Sequence, residues 1–252
     1  MKQSLLTIHH LNTFAGDKQI LFAISCSFTA GKVTVLMGPN GSGKSTLAHA
    51  IMGDPHYKIQ NSKFKSQKTL IQLGNKDISE FSTEERARLG LFLSFQSPVA
   101  VSGVSVIDLL KMAMEKKGKP CSFEHTLKTI KKEALSLHID PTFLTRGIHD
   151  GFSGGERKKI ELLQALVLQP SFALFDEIDT GVDIDALHSI ANGIKRLIDQ
   201  GAGVVLITHN ERILRYIPVD SVIVIKNGRI VKTGGQELIK EISLKGYKNI
   251  EQ

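Results

Sequence analysis

The sequence predicts an α/β core carrying an inserted α-helical subdomain. Strand-like and helix-like segments alternate at both ends of the chain, and a stretch that is helical throughout separates them. At 252 residues the chain can build one large domain with a substantial core. Apolar residues make up 41% and charged residues 23%, which argues against disorder and fibrous repeats.

Residues 5–11, 19–28 and 33–37 are short, apolar or alternating, and bounded by Gly and Asp, so they read as strands. Residues 44–53 have helical spacing through Leu47, Ile51 and Met52 and stop at Gly53. Residues 68–73 and 91–95 are further strands, with a short helix at 83–89 between them. From residue 105 to about 144 the period becomes helical. Val106, Leu109, Leu110, Ala113 and Met114 form one apolar stripe, and Leu127, Ile130, Ala134, Leu135 and Leu137 form a second. Beyond Gly154 the alternation returns as helix 155–168, strand 172–175, helix 184–198 and strand 204–207. Residues 221–225 and 229–232 flank Asn227-Gly228, a hairpin signal, and a helix follows at 236–245.

Composition removes several classes of function. Cys26 and Cys121 lie far apart, which excludes a disulfide framework or a sequence-local zinc site and points to the reducing cytoplasm. Cys26 falls in a predicted strand and reads as a small core hydrophobe. No apolar run approaches the roughly 18 residues needed to span a bilayer, so no direct membrane insertion is expected. Lys and Arg number 32 against 25 Asp and Glu, a formal charge of +7. The basic residues are scattered, aromatics are 6% and Trp is absent, so base stacking and a nucleic-acid partner are not expected.

Gly38-Pro39-Asn40-Gly41-Ser42-Gly43-Lys44-Ser45-Thr46 fits GxxxxGK[ST] between a predicted strand and a predicted helix. Glycines let backbone N–H groups turn inward, and the helix N-terminus adds a positive dipole end, so the loop suits phosphates. Lys44 would reach the β- and γ-phosphates of ATP, and Ser45 would place its hydroxyl on Mg²⁺. Asp176 and Glu177 end the apolar run 172–175, where α/β sheets bind ligands. Asp176 would hold Mg²⁺, and Glu177 would orient and deprotonate the attacking water.

Phe152-Ser153-Gly154-Gly155-Glu156 precedes a helix and lies just before that acidic strand end. With the phosphate loop, it resembles the ATP-binding cassette (ABC) family, whose signature is usually LSGGQ. The resemblance covers nearly the whole chain. It implies an ABC-type P-loop ATPase core with N-terminal antiparallel β strands and an inserted α-helical subdomain. The single domain would divide into a catalytic core over 1–96 and 150–252 and a helical subdomain over 97–149. By the same resemblance Gln96 is the Q-loop glutamine, contacting Mg²⁺ or the attacking water. Asp183 in Thr180-Gly181-Val182-Asp183 belongs to the D-loop, and His209 is the switch histidine on the γ-phosphate. Ser153, Gly154, Gly155 and Glu156 would act in trans, in a transient ATP-dependent homodimer that sandwiches two ATP molecules. The adenine-stacking aromatic is a departure: Phe14 stands near its place, but the strand alignment points to Ala15.

Within the family, several stretches are similar to SufC-type ATPases of Suf iron–sulfur cluster assembly. They include Phe152-Ser153-Gly154-Gly155-Glu156-Arg157-Lys158-Lys159, Asp183-Ile184-Asp185-Ala186-Leu187 and the tail pair Gly246-Tyr247. That similarity implies SufB- and SufD-type scaffold proteins as partners, with the apolar stretch 99–114 as the meeting surface or as subdomain core. Two other functions stay open: the ATPase subunit of an ABC transporter, and a non-hydrolysing nucleotide-gated binding module, against which Glu177 argues. An isolated, nucleotide-free chain is expected to be mainly monomeric and nearly idle, with Lys158 or Lys159 pairing with Glu177 and turning it away.

Overall fold

The computed structural model describes residues 4–60, 69–117, 122–247 and 250. Strands β1 (Leu5–Ala15), β2 (Lys18–Thr29) and β3 (Val33–Met37) lead into helix α1 (Lys44–Met52). Then come β4 (Tyr57–Gln60), β5 (Leu70–Leu73), β6 (Lys76–Asp77), α2 (Thr83–Arg88) and β7 (Leu91–Ser94). The insertion comprises β8 (Val101–Ser105), α3 (Val106–Lys116), α4 (Phe123–Ser136), a 3₁₀ turn (Pro141–Thr145) and β9 (Gly147–Ile148). The chain returns through α5 (Gly154–Leu168), β10 (Phe172–Asp176), α6 (Ile184–Asp199), β11 (Gly203–Ile207) and α7 (Glu211–Leu214). The hairpin β12 (Ser221–Lys226) and β13 (Arg229–Gly234) and helix α8 (Gln236–Lys245) follow.

Six strands form the central sheet in the order β13-β12-β3-β11-β10-β7, parallel except for the edge strand β13. All five residues of each of β3, β10 and β11 are buried, which is why their sequences run apolar without alternation. Their faces still alternate. Val33, Val35 and Met37 join Ile160, Leu163, Leu187 and Ile190 of α5 and α6 in one core. Leu36, Leu174, Val205 and Ile207 point the other way, onto Leu47 and Ile51 of α1 and onto Leu6, Ile8, Ile24 and Phe28. Those last four belong to the second, antiparallel sheet of β2, β1, β5, β6 and β4. Helix α1 is therefore buried on several sides, which suits an element that must present its N-terminus at a fixed place.

The strands and helices follow the sequence pattern closely, with three differences. Strands β4, β6, β8 and β9 are too short and too polar to give a period. The insertion is not all-helical: α3 and α4 carry the two apolar stripes, but β8 pairs with β9 at their base. Leu135 is 77% exposed rather than part of the second stripe. Ile130, Ala134 and Leu137 follow i, i+4, i+7 along one face, and residue 135 is about 140° around the helix from Ile130. Cys26 lies half-buried in β2, and burial pushes its thiol up to about 12. Cys121 falls outside the described residues.

Arg86 fastens the rear of α1. Its side chain is 1% exposed and donates to the carbonyls of Ala50, Ile51, Ser79 and Phe81 at 2.7–2.9 Å. Burial brings its pKa down to about 10, so it remains a cation at neutral pH, beside the negative end of the α1 dipole. The capping box of Ser82 and Glu85 starts α2 and holds Arg86 in register. Arg86→Leu would remove this donor from all four carbonyls, of which Ala50 keeps the Gly53 N–H. Urea unfolding of this variant is expected to show a loss of about 2–4 kcal/mol with an unchanged slope.

Candidate active site

Strand β3 is driven into the sheet by five buried residues and ends where the phosphate loop begins. Gly38 turns at φ 149, and a Cβ there would lie 2.0 Å from the Ile225 carbonyl oxygen, so only glycine fits. Gly43 caps α1 at φ 106, where a Cβ would meet Leu21 Cδ2 at 2.6 Å. The β12–β13 turn braces this loop. Gly228 N–H donates to the Ser42 carbonyl at 2.9 Å, and the Gly228 carbonyl accepts Phe22 N–H at 2.9 Å. Lys44 Nζ folds back on the loop and donates to the Gly38 and Pro39 carbonyls at 2.8 and 3.0 Å. Burial lowers the Lys44 pKa, opposed by the fields of Glu177 and Asp176.

Parallel pairing of β10 with β11 and β7 brings three further strand ends beside the loop. Glu177 leaves β10 with φ 52, and its N–H donates to the Ile207 carbonyl at 2.9 Å. This left-handed turn costs about 1–3 kcal/mol and aims the side chain off the sheet edge. There Glu177 Oε2 accepts Gln96 Nε2 at 2.8 Å, and Oε1 lies 3.4 Å from His209 Nδ1. Thus Gln96, Glu177 and His209 converge from three strands. Lys158 and Lys159 do not make the expected pair with Glu177. Lys158 Nζ donates to the Gln96 carbonyl at 2.8 Å, and Lys159 Nζ reaches the His138 carbonyl at 3.5 Å. Backbone carbonyls, which a sequence does not display, took the ammonium groups.

Asp176 is 1% exposed, and burial raises its pKa against a hydrogen bond from Ser45. Its Oδ1 is buried without a hydrogen-bond partner. A hydroxyl and an orphaned carboxylate oxygen, side by side at a phosphate loop, form a hard oxygen donor set that fits Mg²⁺. Two residues not singled out in the sequence support this edge. Thr208 Oγ1 donates to Asp179 Oδ2 at 2.9 Å and accepts Asn210 N–H at 2.9 Å, flanking His209 on both sides. Burial raises the Asp179 pKa as well.

Ser153 and Glu156 start α5 with a reciprocal capping box. Ser153 N–H donates to Glu156 Oε2 at 2.6 Å, and Glu156 N–H donates to Ser153 Oγ at 3.3 Å. Asp183 caps α6 by accepting Ala186 N–H at 2.7 Å. Ser153, Gly155, Glu156 and Asp183 line one cavity of about 260 Å³, which includes no residue of the phosphate loop. The chain thus presents two separate surfaces. Phe14 is half-buried, paired with Gln19 on one side and Lys58 on the other, and Ala15 is exposed at the hairpin end.

A family model described as ABC transporter matches residues 21–180. The chain belongs to the ABC transporter family. The cassette is 41% identical over 251 residues to "Probable ATP-dependent transporter ycf16" of Cyanophora paradoxa, covering 98% of this chain and 94% of that protein. It is 39% identical over 255 residues to "Vegetative protein 296" of Bacillus subtilis (strain 168), covering 100% and 95%. A nucleotide-free ATP-binding cassette from an ABC transporter superposes with TM-score 0.75 at 27% identity, covering 96% of each chain. A cassette crystallised in its ADP conformation gives TM-score 0.74 at 26% identity, covering 98% and 97%. The cassette is accordingly an ABC ATP-binding subunit and a Mg²⁺-dependent ATPase. Among the described residues, no helix is long and apolar enough to cross a membrane.

The orphaned Asp176 carboxylate yields a prediction about the ligand-free cassette. Its folded pKa is raised, so wild type loses stability as pH climbs from the unfolded carboxylate value of about 3.9 through the folded value. Asn at this position carries no such charge. In EDTA, thermal unfolding is expected to show Asp176→Asn matching wild type at the acid end of that window. Above it the variant should be the more stable by about 1–3 kcal/mol.

Proposed function

We propose that this chain is the ATP-hydrolysing subunit of a cytoplasmic Suf-type iron–sulfur cluster assembly complex, acting on SufB- and SufD-type scaffold proteins. The convergence of Gln96 and His209 on Glu177, beside Lys44 and Asp176, carries the hydrolytic part. The finer reading is supported by Phe152-Ser153-Gly154-Gly155-Glu156-Arg157-Lys158-Lys159, Asp183-Ile184-Asp185-Ala186-Leu187 and Gly246-Tyr247. The catalytic core comprises 1–96 and 150–252, and residues 97–149 form the helical subdomain.

In this reading the loop from Gly38 to Thr46 cradles the phosphates, and Lys44 exchanges the Gly38 and Pro39 carbonyls for phosphate oxygens. Ser45, Asp176 and the Gln96 amide oxygen would hold Mg²⁺, which when bound would offset the charge on the phosphate oxygens. Glu177 orients a water and accepts its proton as the water oxygen bonds to the γ-phosphorus. The bond from that phosphorus to the bridging oxygen breaks, and ADP leaves with the electron pair. His209 bonds a γ-phosphate oxygen and keeps the Glu177 carboxylate in line. Ser153, Gly154, Gly155 and Glu156 cap the γ-phosphate held by a second copy, with Asp183 beside them, in a transient ATP-dependent homodimer.

The scaffold proteins would dock on the face formed by β7 and the insertion. Phe95, Val99, Val101 and Met112 are exposed there, whereas Val106, Leu110 and Met114 of the same stretch are core. A groove of about 660 Å³ runs beside Phe95, lined by Met52, Ala87, Leu91 and Ala113. A second reading, the ATPase subunit of an ABC transporter, is favoured by one observation: the ycf16 relative is described as a probable ATP-dependent transporter. The same face would then receive a permease.

Glu177→Gln is expected to retain ATP binding and to lose about 10²–10⁴-fold in kcat. Lys44→Ala should weaken binding itself. Unchanged turnover in Glu177→Gln would remove Glu177 as the base. Affinity purification of the tagged chain separates the two partner readings. Recovery with two related non-membrane proteins supports the Suf reading, and recovery with a polytopic membrane protein supports the transporter.

A further inference from the structure

Helix α5 carries buried ionisable side chains that the chemistry above leaves unused. Lys158 and Glu161 stand three residues apart, so they lie on the same face of the helix. Both are buried, as is His149 just before the helix. Glu161 Oε2 accepts the backbone N–H of Phe95 at 3.3 Å. Its Oε1 accepts from His149 Nε2 at 3.0 Å and Gln164 Nε2 at 3.1 Å. Lys158 Nζ donates to the carbonyls of Phe95 and Gln96 at 3.5 and 2.8 Å. One helix therefore grips the backbone of the Gln96 segment through an acceptor on one side and a donor on the other.

Stability alone accounts poorly for this arrangement. Burying charges is costly, and well-packed apolar side chains commonly do as well or better. The network is also imperfect: His149 sits at φ 59, and its buried Nδ1 has no hydrogen-bond partner. What it fixes is geometry. The Gln96 side chain projects from the gripped backbone and reaches Glu177 at 2.8 Å. Ser153, at the N-terminus of the same helix, lies five residues before Lys158, a rise of about 7.5 Å.

We propose that Glu161, braced by His149, and Lys158 act as a positioning unit that sets the Gln96 amide against Glu177. Helix α5 would then govern the water-activating carboxylate of its own subunit with its second turn, while its first turn faces the nucleotide of the other copy. The inference rests on the roles given above to Gln96 and Glu177.

A double-mutant cycle on the full chain tests it, using steady-state MgATP turnover and titration with a fluorescent ATP analogue. Glu161→Ala is expected to lower kcat by about 10- to 100-fold, as misplacement of a catalytic group does, with KM and analogue affinity within about threefold of wild type. Glu161→Gln keeps an oxygen for the Phe95 N–H and should restore most of kcat. In a Gln96→Ala background the Glu161→Ala penalty should largely vanish, because the unit acts through that side chain. Should Glu161→Ala fail to fold, Lys158→Met enters the same cycle with the same expectation. Full additivity with Gln96→Ala, or a Gln variant as impaired as Ala, would overturn the positioning role. A Glu177→Gln control keeps the two ideas apart. Its retained turnover would sink the catalytic reading, whereas additivity beside an inert Glu177→Gln would sink only the positioning unit.

Discussion

Parallel register among β3, β11, β10 and β7 is the constraint on which the site depends. Leu36 pairs with Ile207, Ile207 with Asp176, and Phe175 with Ser94, so four strands finish at nearly the same level. Each strand then releases its chain into a different functional segment: the phosphate loop, Asp176 with Glu177, Thr208 with His209, and Phe95 with Gln96. A one-residue slip in any of these pairings would send its side chains to the opposite face. The uniformly buried strands on both faces make such a slip costly. Precision at the edge is thus inherited from packing in the middle.

The sequence was most legible where physics is local. A glycine-rich turn between an apolar strand and a helix, or a carboxylate at the end of a buried strand, states its purpose within a few residues. Alternation and helical period gave the core strands and the long helices. Legibility failed where a partner is a backbone atom or lies far along the chain. Lys158 invites pairing with an acidic side chain, yet it found the Gln96 carbonyl, whose position depends on where β7 ends. Glu161 and His149 meet only after α5 packs against the segment preceding it. Strands β4, β6, β8 and β9 exist because a neighbour offers hydrogen bonds, which no period within them can announce. Leu135 differs for a simpler reason: it is apolar and next in sequence to the stripe, yet the helix turns it to solvent.

Unsatisfied groups gather around the site. Of the five buried side-chain atoms without hydrogen-bond partners among the described residues, Ser42 Oγ and Asp176 Oδ1 border the phosphate loop, Asp179 Oδ1 lies near His209, and His149 Nδ1 is next to the Gln96 grip. The left-handed turn of Glu177 adds strain at the same edge. Such concentrations of cost persist where function requires them and the surrounding structure holds them in place. A cation engaging the Asp176 Oδ1 oxygen would bind the folded state alone and stabilise it by mass action.

The fastening of α1 by Arg86 has a mechanical consequence. A short helix embedded between two sheets, and tied at its rear to a cation that stays charged at working pH, behaves as a stator. Phosphates arriving at its front end meet a support that cannot recoil. The insertion has no such fastening in common with α1: its helices α3 and α4 belong to the other core, on the opposite face of the central sheet.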